Sequence, residues 1–397
     1  MKNLIQQFHR RLQSVNLSFV RYLHKEINWN NRLIAIVGAR GVGKTTLLLQ
    51  HIQLNHKNLD EVLYISLDNL YFGNHSLSDL VDEFAKLGGK YLFIDEVHKY
   101  PNWSIEIKNI YDNYPELFIV ITGSSALDIH KGKGDLSRRI LVFKMNGLSF
   151  REFIQLKYQI KFETYTLSEI TENALQISQE INAKIKPIKL FTEYLKTGYY
   201  PFFVEDNEYY FQRVEQAISE ILETDLPAME PIDFSAVYKL KRLLMIMAEL
   251  VPFKPNILKL SRQMEISRDT FTKYLYFLEK ADLLLLLSAD THGIARMNKP
   301  EKVYLNNPNL IFSLSENKTS IGSIRETFFY NQVRVKHKIS YSKKADFLVD
   351  GKYTFEIGGK NKSKKQIVGI KNAFIAADNI EYAYQNVIPV WMFGFLY

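Results

Sequence analysis

The stretch GARGVGKT, residues 38–45, restricts the fold of this chain more than any other feature. It follows an apolar run, residues 33–37, and it leads into TTLLLQ, which favours a helix. A glycine, four residues and then Gly-Lys-Thr form the pattern of a phosphate-binding loop between a strand and a helix. Backbone N–H groups of such a loop and the positive end of its helix face the phosphates. The sequence therefore predicts a nucleotide site formed by Gly38, Ala39, Arg40, Gly41, Val42, Gly43, Lys44, Thr45 and Thr46.

Two side chains of this loop and two carboxylates have predicted chemical roles. Lys44 is expected to neutralise the β- and γ-phosphates of the nucleotide, and Thr45 is expected to hold Mg²⁺. A second apolar run, residues 91–94, ends in Asp95 and Glu96. Asp95 would reach the Mg²⁺ shell, and Glu96 would orient and deprotonate the attacking water as a general base. The expected cofactors are therefore a nucleotide and Mg²⁺.

Short β-rich runs alternate with helical stretches up to about residue 145, which predicts an α/β domain with a parallel sheet and crossover helices. Ser124 ends one run, where it would position the water or sense the γ-phosphate; an ordinary strand-to-loop turn is an equal alternative. Arg138 and Arg139 precede another run. One of them would act as an arginine finger in a neighbouring subunit of a homo-oligomer, or both form a surface pair. The runs are residues 32–38, 62–68, 91–97, 118–124 and 140–146.

A helix followed by an apolar strand predicts a winged helix in the second half of the chain. Ser267 is placed to cap a helix that ends near Lys280. Arg268 and Lys273 lie off its apolar stripe, where they would contact nucleic-acid phosphates. The alternative is that this module only packs against the first domain. The predicted stripe consists of Phe271, Tyr274, Leu275 and Leu278.

Together with the phosphate loop, seven short stretches give the chain a resemblance to prokaryotic AAA-type ATPases fused to a C-terminal domain of poorly known function. The resemblance extends from about residue 15 to residue 390. It implies Mg-ATP hydrolysis, a winged-helix module and a terminal region with a restriction-endonuclease-like core. The stretches are YISLDN (64–69), YLFIDEVHKYPNW (91–103), ITGSSA (121–126), LSRR (136–139), EYLKTGYYPFF (193–203), ILETDL (221–226) and KVYLNNPNLIFSL (302–314).

The expected architecture is an α/β P-loop NTPase sheet domain, then a helical and winged-helix domain, then a small restriction-endonuclease-like α/β domain. The predicted boundaries are N-terminal helices at 1–30, the AAA ATPase domain at 31–150, a helical region at 151–230, the winged helix at 231–295 and the nuclease-like domain at 296–397.

The resemblance implies a nuclease core that needs an Asp at one strand end and Glu-x-Lys on the next strand. Asp346 and Glu356 match the two carboxylates, and Glu326 matches an upstream acidic position. The expected lysine falls at Gly358, and Lys360 comes two residues later. This departure favours a vestigial core over an active nuclease. Such a core would bind nucleic acid or serve as a scaffold.

The net charge of the chain is +8. Residues 334–371 contain eleven Lys and Arg against three Asp and Glu, a surplus of eight that equals the whole excess. Such a patch is typical of a protein that contacts a phosphodiester backbone, although a solvated lysine-rich loop has the same composition. The lysines beside the Glu356 strand, predicted to contact DNA, are Lys360, Lys362, Lys364 and Lys365.

The chain contains no cysteine, no signal-peptide pattern and no apolar run long enough for a membrane span, so we expect a cytoplasmic protein without a membrane partner. The function that the sequence favours is an Mg-dependent ATP hydrolase of the AAA type whose nucleotide state gates C-terminal binding to nucleic acid. Two alternatives stay open: a nucleotide-gated signalling switch with protein partners, and an active metal-dependent nuclease.

Overall fold

Five apolar stretches of the first half of the chain pair into one parallel sheet, in the order Val62–Ser66, Tyr91–Asp95, Phe118–Ser124, Leu33–Gly38 and Leu141–Lys144. The structure is a computed structural model that describes residues 1–125, 136, 138–205, 208–230, 232–250, 252–289, 300–315 and 320–397. The parallel sheet predicted from the alternating pattern is confirmed. The strands are β1 (Leu33–Gly38), β2 (Val62–Ser66), β3 (Tyr91–Asp95), β4 (Phe118–Ser124) and β5 (Leu141–Lys144).

Helices surround this sheet and also occur throughout the second half of the chain. They are α1 (Lys2–Gln13), α2 (Leu23–Glu26), α3 (Lys44–Asn55), α4 (Leu77–Lys86), α5 (Trp103–Asn113), α6 (Phe150–Tyr158), α7 (Leu167–Glu172), α8 (Ala174–Lys184), α9 (Pro187–Thr197), α10 (Tyr210–Glu220), α11 (Leu226–Met229), α12 (Phe234–Leu250), α13 (Ile257–Gln263), α14 (Arg268–Lys280), α15 (Pro308–Leu314) and α16 (Ile321–Val333).

The chain divides into two compact units. The first contains residues 1–146 and 220–232, and the second contains residues 147–219 and 233–397. The first unit therefore holds the parallel sheet together with a short segment that arrives from much later in the sequence. The finer division of the second half into three regions stays a prediction, and its proposed boundary at 295 lies outside the described residues.

The second unit contains a mixed sheet and a two-stranded antiparallel sheet. In the mixed sheet, β10, β11 and β12 run parallel, whereas β8, β9 and β10 pair antiparallel. The strands of the two-stranded sheet are β6 (Leu284–Leu287) and β7 (Lys302–Leu305), and those of the mixed sheet are β8 (Ile339–Tyr341), β9 (Phe347–Val349), β10 (Tyr353–Gly358), β11 (Ala373–Ala377) and β12 (Val387–Pro389).

Helix starts follow from local side-chain chemistry. The hydroxyl of Ser267 accepts the N–H of Thr270, which caps α14 where the sequence predicts. Ser149 and Glu152 form a reciprocal capping box that begins α6. The predicted stripe of α14 is buried, with Phe271, Leu275 and Leu278 fully enclosed. The predicted helix is therefore confirmed, while the winged-helix interpretation stays a prediction.

Within the described residues, the helices are too short or too polar for any of them to cross a lipid bilayer.

Gly38 is required by close packing rather than by backbone conformation. A Cβ atom at this position would lie 2.3 Å from the carbonyl oxygen of Met145, which follows β5. The neighbouring strand β5 pairs directly with β1. The first glycine of the phosphate loop therefore lets two strands approach each other.

We expect Gly38→Ala to lower the free energy of unfolding by about 1–3 kcal/mol, because backbone must move to admit the methyl group. Gly73→Ala is the matched control, since a Cβ there meets nothing within 4 Å. Denaturant unfolding followed by intrinsic fluorescence measures both. Equal stability of the two variants would contradict the packing role of Gly38.

Candidate active site

The phosphate loop takes the shape that its glycines permit. Gly41 and Gly43 have φ angles of 82° and 97°, in the left-handed region that favours glycine. Gly43 precedes α3, so the loop ends at a helix N-terminus. The ammonium group of Lys44 donates to the carbonyl oxygens of Gly38 at 2.9 Å and Ala39 at 3.1 Å. Lys44 therefore lies folded over the loop, within reach of any group that the loop binds.

The carboxylate of Asp95 accepts hydrogen bonds from three hydroxyl groups. Thr45 donates to Oδ2 at 2.6 Å, Tyr64 donates to the same oxygen at 2.9 Å, and Thr122 donates to Oδ1. Arg11 of α1 in turn donates to the Tyr64 hydroxyl at 3.0 Å. Burial, and next the negative charge of Asp95, raise the pKa of Tyr64, so its hydroxyl stays protonated and donates. The two predicted Mg²⁺ ligands thus lie side by side.

Glu96 occupies a left-handed backbone conformation, with φ of 55°. Such a conformation costs a non-glycine residue of order 1 kcal/mol. Its N–H donates to the Thr122 hydroxyl at 3.1 Å, and its Oε2 lies 3.3 Å from Nε2 of His98. The N–H of Ser124 donates to Nδ1 of the same ring at 3.3 Å. The ends of β3 and β4 therefore hold the predicted base and Ser124 in one network around His98.

Arg21 is a structural residue of this site that was not predicted from the sequence. It is buried, and it donates to the carbonyl oxygens of Val42 at 2.6 Å and Asn146 at 2.7 Å. It thereby joins the phosphate loop to the chain after β5. Arg21 lies just before α2 and belongs to no periodic pattern or motif, so only the folded chain reveals this role.

A second group that the sequence did not predict comes from the segment 220–232. The carboxylate of Asp225 lies 2.9 Å from Nζ of Lys99, 3.3 Å from Nε2 of His98 and 3.6 Å from Nη1 of Arg40. Arg40 also pairs with Glu220. Burial disfavours the charge on Asp225, but hydrogen bonds from His98 and Lys99 outweigh that effect and lower its pKa to about 2. Asp225 belongs to the stretch ILETDL, which contributes to the resemblance to the C-terminal domain. That resemblance implies no role for Asp225.

The donor set at Asp95 fits Mg²⁺ bound together with a nucleotide. A hydroxyl and a carboxylate oxygen lie 2.6 Å apart, and Mg²⁺ prefers oxygen ligands. In the part of the chain that the structure describes, no group of three or more His, Asp or Glu side chains is arranged to hold a metal ion. Mg²⁺ characteristically uses one or two protein ligands and completes its shell with phosphate oxygens and water. Thr45 and Asp95 would hold it in that way.

The two candidate finger arginines differ in their surroundings. Arg139 forms a bidentate ion pair with Asp112, with N···O distances of 3.0 and 3.2 Å. Arg138 is exposed. Because Arg139 is held on its own domain surface, Arg138 is the better placed of the two to reach a neighbouring subunit. An arginine finger from either residue stays a prediction.

The candidate nuclease residues lie close together in the second unit, but lysines pair with them. Nζ of Lys302 lies 3.1 Å from Glu326 and 2.9 Å from Asp346. Burial and the nearby Asp346 charge raise the pKa of Glu326, against the opposing effect of Lys302. Tyr304 also donates to Glu326 at 2.9 Å, and the N–H of Ile357 donates to Asp346 at 2.9 Å. These carboxylates therefore already have cationic and hydrogen-bonding partners.

Glu356 pairs with Lys362 rather than with Lys360. Nζ of Lys362 lies 2.6 Å from Oε1 of Glu356, whereas Lys360 is exposed. A Cβ built on Gly358 would meet the Lys362 side chain at 2.5–2.7 Å. The Lys362 stem thus occupies the space where a side chain at position 358 would begin. Lys362 itself, four residues after Gly358, takes the place beside Glu356. In the sequence, Lys360 is the lysine nearest to the expected position, and Lys362 is predicted only to contact DNA.

The other basic residues predicted to contact nucleic acid lie on the surface. Lys365 is exposed, as are Arg268 and Lys273 on α14. The side chain of Lys364 lies outside the described part of the structure. The exposed positions are compatible with contact to a polyanion, which stays a prediction.

Two family models match separate parts of the chain. Residues 30–154 match the AAA domain family, and residues 188–320 match a domain of unknown function. Residues 30–154 are therefore similar to AAA domains. Two uncharacterized proteins of Methanocaldococcus jannaschii are similar over most of the chain. One is 28% identical over 374 residues, covering 86% of this chain and 78% of the relative, and the other is 25% identical over 356 residues, covering 85% and 74%.

Two of the solved structures with partial similarity contain a bound nucleotide. AMPPCP-bound DnaA from Aquifex aeolicus shares 18% identity with a TM-score of 0.29, covering 66% of this chain and 86% of its own. The S. cerevisiae Hsp104–ADP complex shares 16% identity with a TM-score of 0.31, covering 68% of this chain and 40% of its own. TM-scores this low do not establish a shared arrangement of the whole chain.

We expect Lys302→Met to lower the free energy of unfolding by about 2 kcal/mol, between the values typical of exposed and of fully buried ion pairs. The substitution leaves two largely buried carboxylates facing each other. Lys254→Met is the matched control, because Lys254 pairs with Glu301 at 2.8 Å but is 68% exposed. Adding Glu326→Gln to Lys302→Met should restore part of the loss. Chemical denaturation of the four proteins is the measurement, and equal effects at the two lysines would refute the argument.

Proposed function

We propose that this chain is an Mg-dependent ATP hydrolase of the AAA type. The observation that carries the proposal is the hydrogen bond of 2.6 Å between Thr45 and Asp95. It joins the phosphate loop to the end of β3, so the two groups expected to hold Mg²⁺ already lie together. The AAA domain match over residues 30–154 supports the same reaction class.

The residues of the site have distinct roles in the proposed reaction. The phosphate loop and Lys44 bind the phosphates, and Thr45 and Asp95 hold Mg²⁺. When bound, Mg²⁺ neutralises charge on the phosphate oxygens. Glu96 accepts the proton of the attacking water and orients that water, while Thr122 fixes the backbone of Glu96 through its N–H. Ser124 lies at the end of β4 and supports His98 through its backbone.

We expect Glu96→Gln to lower kcat for ATP by about 100-fold or more while leaving nucleotide affinity within twofold, because general-base catalysis contributes about that much. Lys44→Ala should instead abolish tight ATP binding. Steady-state phosphate release and binding of a fluorescent ATP analogue separate the two effects. Glu116→Gln, at an exposed site of the same domain, is the control. Normal turnover by Glu96→Gln would rule out the general-base role.

We further propose that the second unit binds nucleic acid in a nucleotide-dependent way. Support comes from the charge surplus of residues 334–371 and from the exposure of Lys360, Lys365, Arg268 and Lys273. Neutralised phosphates release counterions, so such binding weakens steeply as salt rises. The pairing of Glu326, Asp346 and Glu356 with lysines favours binding over metal-dependent cleavage.

We expect binding to double-stranded DNA that weakens with salt, and a Lys360→Ala/Lys365→Ala variant whose salt slope is smaller by about 2. Lys57→Ala/Lys161→Ala removes the same charge from exposed sites outside the basic segment and should leave the slope unchanged. Fluorescence anisotropy with and without ATP, and ATP turnover with single- and double-stranded DNA, are the measurements.

Other outcomes of this experiment separate the alternatives. No DNA binding at low salt, together with ATP-dependent oligomerisation, would favour the signalling switch. Mg²⁺- or Mn²⁺-dependent DNA cleavage that is lost in Glu356→Ala would favour the nuclease.

A further inference from the structure

The segment 220–232 brings a carboxylate from a distant part of the sequence to the catalytic loop of the first unit. It forms a π-helical turn over Ile221–Asp225 and continues into α11. The match to the AAA domain ends at residue 154, and this segment falls within the match to the domain of unknown function. Chain segments that both precede and follow it belong to the second unit.

Asp225 is anchored in this position by several independent contacts. The residue is 2% exposed, and its carboxylate lies next to Lys99, His98 and Arg40. With a pKa near 2, it carries a full negative charge at neutral pH. A buried carboxylate without these cations would be strongly disfavoured. The segment therefore stays in place through charge pairing with the loops that follow β1 and β3.

His98 connects Asp225 to Glu96 through one ring nitrogen. Its Nδ1 accepts the N–H of Ser124, so in the neutral ring the proton resides on Nε2. That Nε2 lies 3.3 Å from Oε2 of Glu96 and 3.3 Å from Oδ1 of Asp225. One N–H cannot be fully donated to two acceptors. The two carboxylates therefore compete for the same hydrogen bond.

We propose that Asp225 is a positioning residue that draws the His98 N–H away from Glu96 and so keeps the Glu96 carboxylate free to accept the proton of the attacking water. This inference rests on the proposed ATP hydrolysis. Without Asp225, His98 donates to Glu96, which makes Glu96 a weaker base and fixes it away from the water. ATP binding does not depend on this exchange, because the phosphate contacts of Lys44 and the loop remain.

We expect Asp225→Ala to lower kcat about tenfold or more, because a hydrogen bond from His98 to the charged Glu96 carboxylate would raise the barrier by that amount. The KM for ATP should stay within twofold of the wild-type value. Thr224→Ala is the matched control, because Thr224 is the exposed neighbour on the same turn. Steady-state ATP turnover at saturating Mg²⁺ measures both constants. Unchanged kcat in Asp225→Ala would overturn the proposal.

A second substitution separates positioning from mere structural support. In the Asp225→Ala background, removal of the competing N–H by His98→Ala should raise kcat again, at least threefold. If Asp225 only supported the fold, the double variant would be slower than Asp225→Ala, and that result would overturn the proposal. If Asp225→Ala does not fold, the same pair is made with Asp225→Asn, whose neutral amide is a weaker acceptor. We then expect a drop in kcat of about threefold that His98→Ala reverses.

ATP turnover by the wild-type chain and by Glu96→Gln tests the proposed function separately from this inference, which rests on it. If the wild-type chain lacks ATP turnover, or turnover survives Glu96→Gln, the proposed function fails. If turnover depends on Glu96 but is indifferent to Asp225, only the positioning role fails.

Discussion

One carboxylate, that of Asp95, holds the candidate site together. Its hydroxyl partners come from three different elements: Thr45 from α3, Tyr64 from β2 and Thr122 from β4. Because β3 lies between β2 and β4 in the sheet, a group at its end can reach both neighbours and the loop after β1. Thr122 extends this arrangement to Glu96 by accepting its N–H. The position of Asp95 therefore fixes the phosphate loop and Glu96, the proposed catalytic base, relative to each other.

The second unit uses carboxylates differently. There the acidic side chains pair with lysines from other elements, Lys302 of β7 and Lys362 of the loop after β10. Paired charges of this kind stabilise a fold mainly because an unpaired one would be costly. The same pairing leaves few free oxygen ligands for a metal ion. The site therefore differs from the nuclease pattern expected from the sequence in two ways: a lysine is missing at position 358, and the carboxylates are paired with other lysines.

Charge pairing also explains why the first unit contains a segment from residues 220–232. Asp225 is buried among cations from the loops that follow β1 and β3, which makes its position specific. The segment is flanked in sequence by the second unit, so the residue that contacts His98 is covalently continuous with the part of the chain proposed to bind nucleic acid.

The sequence by itself determined the parallel sheet, the phosphate loop, the carboxylates at the end of β3 and the start of α14. These features depend on local patterns: strand alternation, a glycine loop next to a helix, and an N-cap three residues from its partner. Only the tertiary structure revealed Arg21, Asp225 and the lysine partners of Glu326 and Glu356. Arg21 contacts a residue 125 positions away, and Asp225 contacts one 126 positions away. Periodicity and motif spacing describe neighbours along the chain, whereas these contacts form only when sheet order and packing bring distant segments together.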